Sequence, residues 1–206
     1  MPLPNMPSGS RTNDVVRSPY LPDMSNIFLK TAVRTVFACT GRAKALRQCD
    51  SVLGRYLALA RGLSEEDGRR MVEVPWMPGI DEDMRRWSFF MILEHNAIVN
   101  RAITANVVQL ARGEDPSGAA IIDVKHDVMP SGSAGPAQVD AFALSVRQHV
   151  EAVAALPVLR GTKTSLHPLF GPFDAHQWNC MFAFHLKLHL RQARFVVNNA
   201  ACRQTP

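Results

Sequence analysis

Two histidines spaced one helical turn apart are the residues of this chain best suited to chemistry. They belong to a series whose members are three or four residues apart: Trp178, Phe182, His185, His189, Gln192 and Val196. This spacing places all six on one face of a helix. Two imidazoles four residues apart can bind the same divalent metal ion. Leu186 and Lys187 lie between the histidines, so the glutamate of the HExxH zinc-protease motif is missing.

A third histidine on another predicted helix completes a candidate ligand set. Met91, His95, Ile98 and Ala102 share one helical face, which points His95 towards the core. Three inward histidines must be either hydrogen-bonded or bound to a metal, because burial without a partner is costly. Three neutral imidazoles would leave an open coordination position, as in catalytic metal sites. Spacing alone leaves both interpretations open.

The elements that must position these histidines are predicted to be helices. Apolar residues recur at helical spacing in four stretches, residues 26–62, 82–111, 136–155 and 175–199. Gly41 marks a kink or a division in the first stretch, and Gly62 a C-terminal cap. Asp81 and Asp174 are the predicted N-caps of the second and fourth helices. With no convincing strand, the pattern predicts an all-α protein, an antiparallel four-helix bundle.

The predicted bundle occupies residues 26–200, between a flexible leader and a short tail. The leader, residues 1–25, holds five prolines, and the tail is residues 201–206. A long connection at 114–136 contains a short candidate extended segment, Ala119 to Val124. A connection of this length is usually functional or mobile.

Composition excludes several classes of protein. The chain has 206 residues, of which 47% are hydrophobic and 20% charged, enough to bury a core. We therefore exclude a collagen, a disordered protein and a disulfide mini-scaffold. No apolar run is long enough to span a membrane, and no secretory signal is recognisable. The four cysteines, without CxxC spacing, indicate a reducing, cytoplasmic setting.

The net charge of +5 raises the question of a nucleic-acid partner. Residues 11–62 hold an excess of Lys and Arg, but these are spread along the helix: Arg34, Arg42, Lys44, Arg47, Arg55 and Arg61. No RNA-binding motif, zinc finger or basic tail accompanies them. We interpret them as a solvated helix face and expect no nucleic-acid partner. Salt-dependent binding to DNA or RNA would contradict this interpretation.

The C-terminal third also resembles a known family. The segment from His167-Pro168-Leu169-Phe170-Gly171 to Trp178, followed by His185, His189 and Gln192, resembles the end of DinB-like proteins. The stretch from Arg86 to His95 is similar to the second helix of that family. The resemblance implies a four-helix bundle of the DinB/YfiT type, in which His95, His185 and His189 hold one divalent metal ion. It also implies a homodimer.

Family members include metal-dependent thiol S-transferases, an isomerase and many proteins without an established reaction. The resemblance therefore implies a thiol S-transferase that activates a low-molecular-weight thiol for attack on an electrophile. The alternatives are a metal-dependent hydrolase and a metal-binding bundle with a structural or sensing role. Zinc or nickel is the expected metal, with iron as another option for imidazole ligands.

No protein side chain is predicted to act as a catalytic nucleophile or base. Glu94 should point about 100° away from His95 around the helix. Gln192 either orients a bound ligand or pairs with a neighbouring helix, and Asn100 is a weaker candidate of the same kind. We expect His167 to stabilise the turn before the last helix.

The remaining candidates are predicted to have no part in the site. His126 lies in the long connection, His149 in the third predicted helix and His176 in the first turn of the fourth. Trp87, Trp178 and Cys180 are predicted to pack in the core.

Overall fold

The computed structural model describes residues 24–116 and 127–201, and this part of the chain is mostly helical. Its six α-helices are α1 (Met24–Cys39), α2 (Arg42–Arg61), α3 (Glu65–Arg69), α4 (Phe89–Ala111), α5 (Ala137–Ala155) and α6 (Ala175–Ala201). Its four short strands are β1 (Val72–Glu73), β2 (Arg86–Trp87), β3 (Thr164–His167) and β4 (Gly171–Asp174). The predicted predominance of helix is confirmed. The predicted leader, the segment Ala119 to Val124, His126 and nearly all of the tail lie outside the described residues.

The first predicted helix is divided at Gly41. α1 ends at Cys39 and α2 begins at Arg42, so two helices occupy the predicted stretch. The guanidinium group of Arg160 donates hydrogen bonds to the carbonyl oxygens of Ala38 and Thr40, at 2.9 and 3.1 Å. These bonds satisfy carbonyl groups that the end of α1 leaves without helical partners.

The predicted start of the second long helix was wrong. Asp81 precedes only a 3-10 turn, Glu82–Met84, and α4 begins seven residues later than predicted, at Phe89. The N-cap is Ser88, whose hydroxyl oxygen accepts a hydrogen bond from the backbone N–H of Met91. Arg86 and Trp87 are extended because β2 pairs with β1.

The absence of strands was also a wrong prediction. β1 and β2 form an antiparallel pair in which Val72 faces Trp87. β3 and β4 form a second pair, with Thr164 opposite Asp174 and His167 opposite Gly171. Strands of two to four residues are too short to show a reliable alternation of polar and apolar residues.

α6 is the element that most of the described fold packs against. α1, α2, α3 and α4 all contact it, and α5 packs against both α2 and α4. The core between them includes Phe142 and Phe182, neither of which is exposed to solvent. None of the described helices combines the length and apolar character that a membrane crossing requires.

A loop between β1 and β2 lies closely against α6. Gly79 has φ +81°, a backbone conformation that favours glycine. A Cβ atom at this position would lie only 2.4 Å from Cδ1 of Leu188. The loop therefore follows the surface of α6 beside His189, and it leads into the residues that contact the site.

Candidate metal centre

Three histidines from two helices converge at the interface between α4 and α6. His95 comes from α4, and His185 and His189 come from α6. One ring nitrogen of each lies within 4.8 Å of the others, so together they could hold a metal ion. The Nε2 atoms of His95 and His185 are 3.3 Å apart. Helical spacing on α6 and the packing of α6 against α4 produce this arrangement.

The orientation of His95 is set by the chain beyond α4. Its Nδ1 lies 2.7 Å from the carbonyl oxygen of Val128. A carbonyl oxygen only accepts hydrogen bonds, so Nδ1 carries the proton and donates it. The Nε2 atom of His95 therefore presents a lone pair to the cluster. A metal-binding histidine is commonly held in this way by its other nitrogen.

His189 is oriented in the same way by Gln192. The side-chain amide of Gln192 donates from Nε2 to the carbonyl oxygen of Met84 at 2.6 Å, which fixes the amide orientation. Its Oε1 then accepts a hydrogen bond from Nδ1 of His189 at 2.8 Å. The Nε2 atom of His189 is thus the second lone pair aimed at the cluster. Gln192 bonds to a neighbouring segment and to His189, whereas its predicted contact with a bound ligand stays a prediction.

His185 is the least constrained of the three. Its Nδ1 is buried and has no hydrogen-bond partner among the described residues. The residue as a whole is partly exposed, whereas only 2% of His95 and of His189 is exposed. His185 therefore lies on the side of the cluster that solvent can reach.

Burial keeps all three imidazoles neutral. It lowers the pKa of His95, despite the opposing hydrogen bond to Val128. Burial lowers the pKa of His189 to about 3. It lowers the pKa of His185 well below the usual value, and the neighbouring His189 and His95 lower it further. Neutral imidazoles are the form that binds metal ions, so the ligand set is available at neutral pH.

The cluster carries no compensating negative charge. Among the described residues, the group contains three histidines and no carboxylate or cysteine. Trp87 forms one wall, with its ring 5.0 Å from that of His95 and stacked 6.3 Å from that of His189. The residues fit a divalent ion, because three nitrogen donors converge and two of them are held with their lone pairs inward.

The inward face of α4 differs from the predicted one. Of the four residues predicted on it, only His95 is fully buried. The buried positions instead include three amides that apolar periodicity did not predict: Asn96, Asn100 and Asn106. The Nδ2 of Asn100 donates to the hydroxyl of Ser145 on α5, so this amide binds α5 rather than the triad.

Glu94 and His167 stabilise neighbouring loops. The carboxylate of Glu94 accepts hydrogen bonds from the backbone N–H of Ser131 and from the side chain of Gln138. The Nδ1 of His167 accepts from the backbone N–H groups of Leu169 and Phe170, which stabilises the turn between β3 and β4.

His149, His176 and the buried Trp87 lie in the core. His149 is fully buried and stacks on Phe182, with ring centroids 3.6 Å apart. The Nε2 of His176 is 3.1 Å from the carbonyl oxygen of Phe37. Trp87 is buried, while Trp178 is half-buried and donates a hydrogen bond to Ser165.

Two buried cysteines lie in the core, and the structure gives no sign that they are nucleophiles. Burial raises the pKa of Cys49 and of Cys180 to about 12. The Sγ of Cys180 lies 3.6 Å from Nε2 of His176, but that nitrogen is already engaged by Phe37. Both thiols therefore remain protonated at neutral pH.

Sequence reasoning missed the two carbonyl groups that orient the ligands. Val128 lies in the long connection at 114–136, and Met84 lies in a segment predicted to be helical. Backbone carbonyl groups have no residue-type signature, so no pattern in the sequence would have identified them.

Comparison with known proteins identifies no family for this chain. No protein-family model, curated protein or solved structure matches the chain.

Proposed function

We propose that this protein is a metal-dependent enzyme of the DinB-like type, and that its reaction is the transfer of a low-molecular-weight thiol. The observation that carries the proposal is the convergence of His95, His185 and His189, with the first and last held by Val128 and Gln192. Hydrogen bonds that already orient two of the three histidines favour a metal site over the alternative of three histidines that only pack in the core. The resemblance of the His167–Gln192 region to DinB-like proteins supports the same function.

The helix contacts support the corresponding bundle. α2, α4, α5 and α6 are the four long helices that contact one another around the core. We assign them as the four helices of the bundle, with α1 as an additional helix on α6. The metal site then lies inside the bundle, between facing helices, where such sites are usually built.

The charge of the site favours an anionic ligand from outside the protein. Three neutral imidazoles would leave the charge of a divalent ion uncompensated. When bound, the metal stabilises a thiolate relative to a thiol, which makes the sulfur nucleophilic at neutral pH. Trp87 excludes water from one side of the site, and the half-buried His185 marks the side from which a thiol enters. Zinc or nickel is the metal that we propose, with iron as the further option for this ligand type.

The first experiment is elemental analysis of the purified protein beside the His185→Ala/His189→Ala variant. We expect about one metal ion per chain in the wild type and none in the variant. A His167→Ala variant is the control, because it removes a histidine outside the triad and should keep the metal. Wild-type protein that takes up no metal, even when refolded with zinc or nickel, would refute the proposal.

The second experiment tests the reaction class. Cobalt-substituted protein should develop a sulfur-to-cobalt absorption band when cysteine or glutathione is added, and the His185→Ala/His189→Ala variant should not. A bound metal without any response to thiols, but with a lower melting temperature after its removal, would instead assign a structural role. A metal-dependent hydrolysis without thiol dependence would assign a hydrolase.

The proposal includes a homodimer. α1 exposes Phe28, Leu29 and Val36, each by more than half of its surface. Such a stripe of apolar side chains supplies surface for a second copy. Sedimentation of the wild type beside a Phe28→Ser/Val36→Ser variant tests this, and a monomeric wild type would contradict it.

A further inference from the structure

A second concave site lies on the opposite side of α6 from the histidines. This shallow cleft, of about 350 Å³, lies on the surface where α2 meets α6. Its lining consists of Lys44, Arg47, Gln48, Ser51, Val52, Arg55 and Lys187. Four of these seven residues are cationic and none is acidic. The proposed thiol chemistry uses none of them.

The helical spacing explains why the cations converge. The six lining residues of α2 are separated by three, one, three, one and three positions, so they form one face of that helix. Lys187 comes from α6, two residues from His185 and two from His189. A displacement of two residues is about 200° around a helix, so Lys187 points away from the metal site.

The four cations have no partner within the described fold. Other basic residues of this protein are used structurally: Arg34 donates to the carbonyl oxygen of Pro172, and Arg42 to that of Ala154. In contrast, Lys44, Arg47, Arg55 and Lys187 have no hydrogen bond or ion pair to another described residue. Asp50, the one acid of α2, does not line the cleft.

Concentrated positive charge of this kind is an unfavourable arrangement that a bound anion relieves. Like charges repel, and a concave surface focuses their field towards the cleft. Guanidinium groups match phosphate oxygens with paired hydrogen bonds, and lysine adds a mobile positive charge. The amide of Gln48 and the hydroxyl of Ser51 supply additional donors on the same wall.

We propose that this cleft binds a small molecule that carries two or more phosphate groups. Lys44 and Arg55 are eleven residues apart on α2, about 16 Å along the helix axis, so one phosphate group cannot contact all four cations. The volume is at the lower end of the range for small-molecule sites. The cations also face each other from two helices, which suits a compact ligand better than an extended nucleic-acid strand.

Calorimetric titration of the full-length protein with inorganic pyrophosphate at low salt tests the proposal. We expect saturable binding of one pyrophosphate per chain. The Arg47→Gln/Lys187→Gln variant should bind at least about tenfold more weakly, because it loses two charge-assisted contacts. The Arg147→Gln/Arg194→Gln variant, which loses the same charge from exposed positions outside the cleft, should change affinity less than about twofold.

Additional variants distinguish binding in the cleft from binding at the metal site. Pyrophosphate also binds metal ions, so the His185→Ala/His189→Ala variant must bind it as the wild type does. An Arg55→Gln variant provides a second, single-charge test, and thermal unfolding verifies that each variant is folded.

Four results from the phosphate titrations would overturn the proposal. These are the absence of saturable binding, equal weakening by both double variants, and loss of binding in the histidine variant. The fourth is an affinity for orthophosphate equal to that for pyrophosphate. A single-stranded oligonucleotide that binds more tightly as its length increases would assign the surface to nucleic acid instead.

Discussion

Gln192 connects a candidate metal ligand to a distant part of the chain, and a methionine at this position would break that connection. The change removes the acceptor for Nδ1 of His189 and the donor to the carbonyl oxygen of Met84. Methionine is of similar size to glutamine, so the change leaves little cavity. We expect Gln192→Met to lower the affinity for zinc about 10- to 100-fold, because His189 loses the bond that orients it. This corresponds to about 1.4–2.8 kcal/mol.

The same substitution also affects the stability of the metal-free protein. It leaves a buried N–H group and a buried carbonyl group without partners, which costs about 1–3 kcal/mol for each group. The assay therefore needs two readouts. Zinc affinity is measured by competition with a chromophoric chelator, and the free energy of unfolding is measured by urea titration without metal.

A matched control separates orientation of the ligand from general destabilisation. Asn179 is another fully buried amide of α6, and its Oδ1 lies 3.1 Å from Nε2 of His149, outside the triad. Asn179→Leu should lower stability by a similar amount and change zinc affinity less than about twofold. If Gln192→Met keeps wild-type affinity, or if both variants lose affinity equally, the reasoning about orientation is wrong.

Three further predictions concern the fold. Gly68→Ala should destabilise the protein by about 1–3 kcal/mol in urea unfolding, because the new Cβ would lie 2.4 Å from the ring of Phe90; an unchanged midpoint would contradict this close approach. Tyr56→Phe should cost about 1–2 kcal/mol, because the hydroxyl accepts from Asn96, and a neutral result would show that water replaces it. Burial lowers the pKa of His149 to about 4. As the pH decreases from about 6.5 to 4, the unfolded chain therefore takes up this proton before the folded protein does, and the free energy of unfolding decreases. Between pH 7 and 4.5, the free energy of unfolding of His149→Gln should therefore decrease by about 2–3 kcal/mol less than that of the wild type. Parallel pH profiles of the two proteins would refute this.

The sequence was sufficient for features that depend on local periodicity. The face of α6 was predictable because its residues repeat every three or four positions, and the prediction placed His185, His189 and Gln192 together. The ends of α5 and α6 are within two residues of the predicted ends. Gly41 also indicated a kink or a division in the first helical stretch, and the chain divides there.

Features that depend on contacts between distant segments were not predictable. Asp81 and Ser88 are both good N-cap residues, and the pairing of β1 with β2 favours Ser88 because it keeps Trp87 extended. The inward face of α4 was mispredicted for a related reason. Buried amides such as Asn100 are tolerated where residues on other helices accept from their N–H groups, and hydropathy alone gives no sign of those partners.

The amino-acid sequence by itself determined that this is a mostly helical protein with three histidines at inward positions. These properties follow from local spacing and from the preference of apolar residues for the interior. Only the tertiary structure decided that the three imidazoles meet, and that the carbonyl groups of Val128 and Met84 hold two of them in orientation. It also decided that Lys187 faces the cations of α2 across a cleft. The physical reason is the same in each case, since hydrogen bonds and charges act over a few ångströms of space between residues that the sequence separates widely.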